Sequence, residues 1–215
     1  MHIIVPFDAE TPKTRLEPVL SHAERKTFAN AMLLDVLTAI SNAGYEPTVL
    51  ATTSVELTPV TDLASVIVDE RPLTPAVNAQ LNASSGSVAV IMSDLALITP
   101  ETVTRLISCQ GDVVIAPGRG CGTNALMIRH PEFKVDYHGT SYIDHREIAR
   151  EVGAQTQIFD SFRLATDIDE PEDLTEILVH DGSQAAHCLQ KFGFELDVSE
   201  GRVKTVRGNN GQDFV

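Results

Sequence analysis

Five segments of the chain carry residue types that could do chemistry. The first, residues 6–16, reads Pro-Phe-Asp-Ala-Glu-Thr-Pro-Lys-Thr-Arg-Leu and holds two cations, Lys13 and Arg15. In an acidic chain, two cations on an irregular loop suggest a phosphate site, with arginine as a bidentate fork and lysine as a point charge. A solvated surface loop is the plain alternative. The Gly-x-x-x-x-Gly-Lys-Ser/Thr pattern of a Walker A loop is absent.

The second segment, residues 91–97, is an apolar run ending in Ser93-Asp94. A carboxylate there could hold Mg²⁺, which takes oxygen ligands alongside phosphates. It could equally cap a turn. The third, residues 117–126, has glycines at 118, 120 and 122 followed by Thr123 and Asn124. Such a backbone can approach a ligand closely and offer its amides to an anion, or simply close a hairpin. In the fourth, residues 137–145, Ser141 and the Gly139 amide could meet a phosphate or carboxylate. His138 and His145 stand there as ligand or base candidates, or as ordinary surface or helix-end histidines. The fifth, residues 166–173, is strongly acidic. A helix start explains Glu170, Glu172 and Asp173 through the macrodipole. Asp167 and Asp169, two apart on an extended segment, fall on one side and could complete a metal site with Asp94.

Alternating strands and helices position these segments. Apolar runs at 2–6, 47–52, 64–68, 88–92, 112–116, 125–128 and 156–159 read as strands. Helices are expected from Ser21 to the Asn42-Ala43-Gly44 stop, at 73–82, after Thr99-Pro100, at 144–152, at 171–179 and at 183–190. Ser21 with Glu24 forms a capping-box pattern. This order predicts an α/β fold, a mainly parallel central sheet with helices on both faces. Ligands of such sheets lie beyond the carboxyl ends of the strands, which is where the segments after strands one, four and five fall. Residues 192–207 suggest a hairpin appendage and 208–215 a frayed tail, all on a single domain spanning 1–215.

Composition narrows the function. The chain has 215 residues, 43% of them hydrophobic, and a formal net charge of −14 from 16 Lys+Arg against 30 Asp+Glu. That balance argues against non-specific nucleic-acid binding. It suits either a protein of a high-salt cell or an ordinary acidic one. No run approaches the ~18 apolar residues of a membrane helix, and no signal peptide is evident, so no membrane association and a cytoplasmic location are expected. Cys109, Cys121 and Cys188 are odd in number and widely spaced, which fits neither a disulfide framework nor a zinc site.

Taken together, Pro-Lys-Thr-Arg-Leu (12–16), Asp-Leu-Ala-Leu (94–97), Gly-Thr-Asn-Ala-Leu (122–126) and Asp-Ile-Asp-Glu-Pro-Glu-Asp-Leu (167–174) resemble the 2-phospho-L-lactate guanylyltransferases over residues 2–206. These archaeal enzymes of GT-A-like fold prepare the side chain of deazaflavin coenzyme F-420. The resemblance implies GTP and 2-phospholactate as substrates, lactyl-diphospho-guanosine and pyrophosphate as products, and Mg²⁺ as cofactor. It implies metal binding by Asp94, Asp167 and Asp169, with Lys13, Arg15 and Asp94 as the catalytic set. Pro6, Asp8, Asn78, Pro117 and Gly118 would join Lys13 and Arg15 around the nucleotide. Thr123, Asn124, Gly139 and Ser141 would hold the phospho-acid. Two departures stand out. Cys121 replaces a frequent glycine, and Asp8 and Glu10 make the first loop less basic.

An acceptor phosphate is already ionised near neutrality, so no general base is expected from His138 or His145. Phosphoenolpyruvate or 3-phosphoglycerate as acceptor, a cytidylyl or molybdopterin-guanylyl transfer, and a non-catalytic GTP-binding protein are the competing readings. The hairpin's first arm (Phe194, Leu196, Val198) alternates and offers an edge for a second copy, so a homodimer is expected.

Overall fold

The computed structural model describes residues 1–55, 58–180, 182–199 and 201–208. Glu200, at the expected hairpin turn, and all of the expected tail except Gly208 lie outside the described residues.

Nine strands are described: β1 His2–Phe7, β2 Pro47–Ala51, β3 Ser65–Val68, β4 Val88–Ile91, β5 Val113–Pro117, β6 Thr123–Ile128, β7 Thr156–Ile158, β8 Phe194–Asp197 and β9 Lys204–Arg207. The helices are α1 His22–Asn42, α2 Thr58–Leu63, α3 Leu73–Ala83, α4 Pro100–Ser108, α5 Ser141–Glu151, α6 Phe162–Ala165, α7 Leu174–Val179 and α8 Gln184–Lys191. Single 3-10 turns lie at Thr14–Leu16 and Pro171–Asp173.

Seven strands form one sheet in the order β3-β2-β1-β4-β6-β5-β7, and β8 pairs with β9 in a separate hairpin. All pairings in the large sheet are parallel except those of β6, which runs antiparallel between β4 and β5. This reversal matters for function. It brings the start of β6, Thr123 and Asn124, to the edge where β4 ends, and Met92 N–H donates to Asn124 C=O at 3.0 Å. The order also switches direction at β1, whose neighbours are β2 and β4, and a crevice opens beyond such a switch. Pairing of β1 with β4 stops at Ile4, whereas pairing with β2 continues through Pro6 to Phe7. A proline in a central strand is tolerated here because the β4 ladder has already ended.

Strands β1, β4, β5 and β6 are apolar and covered on both faces. One face packs under α1 (Leu33, Val36, Leu37, Ile40) and α4 (Val103, Leu106). The other packs under α3 (Ala76, Val77), α5 (Ala149) and the Phe133–Val135 stretch. α1 begins with the expected capping box, Ser21 N–H donating to Glu24 Oε2 at 2.8 Å and Glu24 N–H to Ser21 Oγ at 3.3 Å.

A third cluster anchors the loop after β1 and the segment between α6 and the second 3-10 turn. Leu16, just after Lys13 and Arg15, and Ile168, between Asp167 and Asp169, are both fully buried in it with Phe28, Met32 and Leu189. Each such side chain contributes ~1.5–3 kcal/mol on burial, so the polar residues flanking them are held in place by the core.

α2 and α6 were not expected at all, and three other elements near the site differ in their bounds or type. β6 begins at Thr123, so Thr123 and Asn124 are strand residues rather than parts of the glycine turn. α5 begins at Ser141, ahead of Asp144. The helix expected over 171–179 is a 3-10 turn followed by α7, because Glu170 and Asp173 cap the turn reciprocally.

Candidate active site

The loop after β1 is shaped by its own carboxylate. Asp8 Oδ1 accepts the N–H groups of Glu10 (3.0 Å) and Thr11 (3.3 Å), and Oδ2 accepts the Thr11 hydroxyl (3.2 Å). Asp8 therefore folds the loop, a common use of aspartate in turns. At the far end Lys13 adopts φ 55°, ψ 48°, a left-handed conformation that non-glycine residues rarely take. Such outliers cluster at functional sites.

Lys13 Nζ donates to Asp94 Oδ2 at 2.7 Å and to Asp169 Oδ1 at 2.9 Å. Arg15 Nη1 donates to Asp169 Oδ2 at 2.8 Å while most of its side chain stays exposed. Burial opposes the charge on Lys13, but Asp94 and Asp169 outweigh it and raise its pKa. Burial likewise acts against the Asp169 charge, and Lys13 and Arg15 overcome it and hold the carboxyl below its usual range. These groups line a cleft of about 350 Å³ with Phe7, Thr11 and Ser93.

Asp167 lies within electrostatic reach of Asp94 and is tied to β6. Asn124 Nδ2 donates to Asp167 Oδ1 at 3.0 Å and to Leu164 C=O at 2.8 Å. Burial, joined by the Asp94 charge and opposed by the Asn124 bond, pushes the Asp167 pKa up. Asn124, expected at the acceptor, is thus buried and orients Asp167. Gly118 makes room for it: a Cβ there would lie 2.5 Å from Asn124 Oδ1. The bend that follows is carried by Cys121, at φ 66°.

Do these residues suit a divalent metal? Among the described residues no three carboxylate, histidine or cysteine side chains converge as a complete cage. Yet Asp94 Oδ1 is buried without a hydrogen-bond partner, a costly state for a carboxylate oxygen. Mg²⁺ is commonly held by one or two carboxylates with substrate phosphates completing the shell. Asp94 and Asp167 fit that pattern, while both Asp169 oxygens face cations.

Thr123, Ser141 and His145 form a buried group. Thr123 N–H donates to Ser141 Oγ at 2.9 Å, and the Thr123 hydroxyl lies 2.9 Å from His145 Nδ1. Gly139, at φ 49°, leads into the first turn of α5. Asn78 is engaged elsewhere, its amide paired with both the N–H and the C=O of Val135 at 2.9 Å. Pro117 ends β5 beside Gly118. His138 is exposed and paired with Asp136.

Sequence reasoning missed the clamp behind Asp169. Asp173 Oδ2 accepts Asp169 N–H at 3.0 Å and Glu170 N–H at 2.9 Å, and its Oδ1 pairs with Arg119. The spacing of Glu170 and Asp173 around Pro171 was the available signal. A larger hollow, about 590 Å³ between α7 and the hairpin, meets this site only at Arg119 and Asp173.

Residues 1–208 match the family described as guanylyl transferase CofC-like. The chain belongs to that family. It is 54% identical to a 2-phospho-L-lactate guanylyltransferase of Haloterrigena turkmenica, covering 96% of this chain and 97% of the relative. The relative of the same name in Halomicrobium mukohataei is 52% identical, with 96% and 100% covered. That of Methanosphaerula palustris is 41% identical, with 96% and 97% covered. Among solved structures, a Desulfovibrio desulfuricans protein assigned as a nucleotide-diphospho-sugar transferase superposes with a TM-score of 0.69 at 14% identity, covering 88% of this chain and 93% of that one. A Methanothermobacter nucleotidyl transferase gives 0.58 at 15% identity, covering 88% and 99%. These likenesses place the CofC-like chain in the nucleotide-diphospho-sugar transferase fold. Among the described residues no helix is long and apolar enough to cross a membrane.

Proposed function

We propose that the protein transfers GMP from GTP to the phosphate of 2-phospho-L-lactate, giving lactyl-2-diphospho-5'-guanosine and pyrophosphate. The observation that carries this reading is the grouping of Lys13, Arg15, Asp94 and Asp169 around one cleft at the sheet's switch point. The relatives' shared name supports the base and the acceptor.

Lys13 and Arg15 bind the triphosphate and offset charge as pyrophosphate departs. An acceptor phosphate oxygen attacks the α-phosphorus, and the bond to the β-phosphate oxygen breaks. The acceptor lies toward Thr123, Ser141 and the α5 N-terminus, opposite the cations. Asp94, Asp167 and Asp169 would hold Mg²⁺. The metal, when bound, supplies charge neutralisation and alignment of the phosphates. No protein base is required. Burial pushes the His145 pKa down to about 4, and His138 points to Asp136 in solvent, so neither is placed to take a proton from substrate. The hairpin, docked through Phe194 and through the Thr175–Thr205 hydroxyl bond of 2.9 Å, leaves Val198 and Val206 exposed for a second copy, which supports a homodimer. A monomeric mass by light scattering would refute the dimer.

The test is pyrophosphate release from GTP with 2-phospholactate, phosphoenolpyruvate and 3-phosphoglycerate in parallel. Release with 2-phospholactate supports the reading. Release only with another acceptor replaces the substrate, and release with none refutes the activity.

A further inference from the structure

His145 is fully buried on α5 although it is polar. Its Nε2 lies 2.9 Å from the Asp136 backbone N–H. An amide N–H can only donate, so Nε2 must present a lone pair. In a neutral ring the proton then sits on Nδ1, and burial keeps the ring neutral. Nδ1–H therefore donates to Thr123 Oγ1 at 2.9 Å. Phe133 and Tyr137 hold the ring, with centroids 5.9 and 5.0 Å away.

This fixes the direction of the Thr123 hydroxyl, and the Thr123 N–H independently makes Ser141 Oγ an acceptor. Thr123 Oγ1 accepts from His145, and Ser141 Oγ accepts from Thr123 N–H. Neither O–H hydrogen meets a further acceptor among the described residues, so both are left as donors at the start of β6. With the opposite tautomer the Thr123 hydroxyl would donate to Nδ1 and be lost to any anion.

We propose that His145 is a positioning residue for the acceptor: by donating from Nδ1 it leaves the hydrogen of the buried Thr123 hydroxyl free to be donated to an anionic oxygen of a small phospho-acid. This rests on the functional reading above, which places the acceptor at Thr123 and Ser141.

Nitrogen–proton correlation spectra of the full chain are expected to show the His145 proton on Nδ1; a proton on Nε2 overturns the proposal. Two substitutions separate its two bonds. Gln at this position can still accept from Asp136 N–H but cannot reach Thr123 as a donor, and Asn keeps a donor near Thr123 but loses the Asp136 bond. In the pyrophosphate assay His145→Gln is expected to raise KM for the phospho-acid about 10-fold, one hydrogen bond to a charged group, with KM for GTP within about twofold. His145→Asn is expected to keep the acceptor KM within about threefold of wild type, despite a lower Tm. Equal acceptor KM in the two variants, or acceptor and GTP KM rising together, overturns the proposal while the activity stands. A wild-type enzyme that uses no phospho-acid overturns both.

Discussion

The Lys13 ammonium lies between two carboxylates, 2.7 Å from Asp94 Oδ2 and 2.9 Å from Asp169 Oδ1, although these residues are 81 and 156 positions away in the chain. A cation so paired holds the cleft's geometry before substrate arrives. Lys13→Met is expected to lower kcat/KM by about 10²–10³-fold. It should also lower Tm, because Asp94 loses its cation and Asp169 loses one of its two. Steady-state kinetics together with thermal unfolding check this; unchanged kcat/KM would remove Lys13 from the catalytic set.

Gly118 and Asn124 give a second prediction. A Cβ at 118 would lie 2.5–2.9 Å from three atoms of the Asn124 amide, and that amide orients Asp167. Gly118→Ala should therefore displace Asp167 and reduce kcat by about 10-fold or more, the scale on which ~1 Å misplacements act. A variant with wild-type kcat would show that Asp167 does not depend on Asn124.

Cys121 carries a left-handed backbone at φ 66°, which costs an L-residue ~1–2 kcal/mol. Cys121→Gly relieves that conformation and adds some unfolded-state entropy. We expect a net gain of about 0.5–1 kcal/mol, or ~1–4 °C in Tm for a chain of this size. Calorimetry measures it, and a lower Tm would mean that the Cys121 side chain supplies packing worth more than the strain.

The buried His145 predicts a pH dependence of stability. Its folded pKa, about 4, lies below the ordinary 6.5, so the unfolded chain binds the extra proton first. The stability associated with the neutral ring is complete above pH 6.5. It is lost as pH falls from there through about 4, to a total of ~3 kcal/mol. Urea unfolding between pH 7 and 4 should show this slope, and His145→Gln should flatten it. A slope identical in the two proteins would assign it to other groups.

Much of the active edge was legible in the sequence because strand–helix alternation forces the segments after β1 and β4 to one side of the sheet. Charge and position marked Lys13, Arg15, Asp94 and Asp169 as candidates, each with a plain structural alternative, and the fold brings the four side chains together; their roles came from the family resemblance. What pairs with what was not legible. Thr123 and Asn124 read as turn residues next to three glycines, yet they begin β6, because the antiparallel insertion of β6 depends on long-range pairing that no local pattern encodes. The resemblance implied Asp8 and Asn78 as nucleotide contacts; Asp8 bonds the Glu10 and Thr11 groups of its own loop at the cleft, and Asn78 pairs with the Val135 backbone. Asp173 read as a helix-start acid, and it does cap the turn, but its bond to Asp169 N–H and its pairing with Arg119 connect segments 50 or more residues apart in a way only the fold reveals. α2 escaped notice because Thr58–Leu63 is short and contains Pro59, with too few turns for a 3.6-residue period to show.

The proposed reaction is guanylyl transfer to a phospho-acid at the Lys13–Asp94–Asp169 cleft. It is tested most directly by following pyrophosphate release from GTP and 2-phospholactate with Mg²⁺, alongside mass detection of the dinucleotide-like product. Stoichiometric pyrophosphate and lactyl-diphospho-guanosine are expected, both abolished in Asp94→Asn. Pyrophosphate release that persists undiminished in Asp94→Asn, or GTP binding with no release from any phospho-acid, would contradict it.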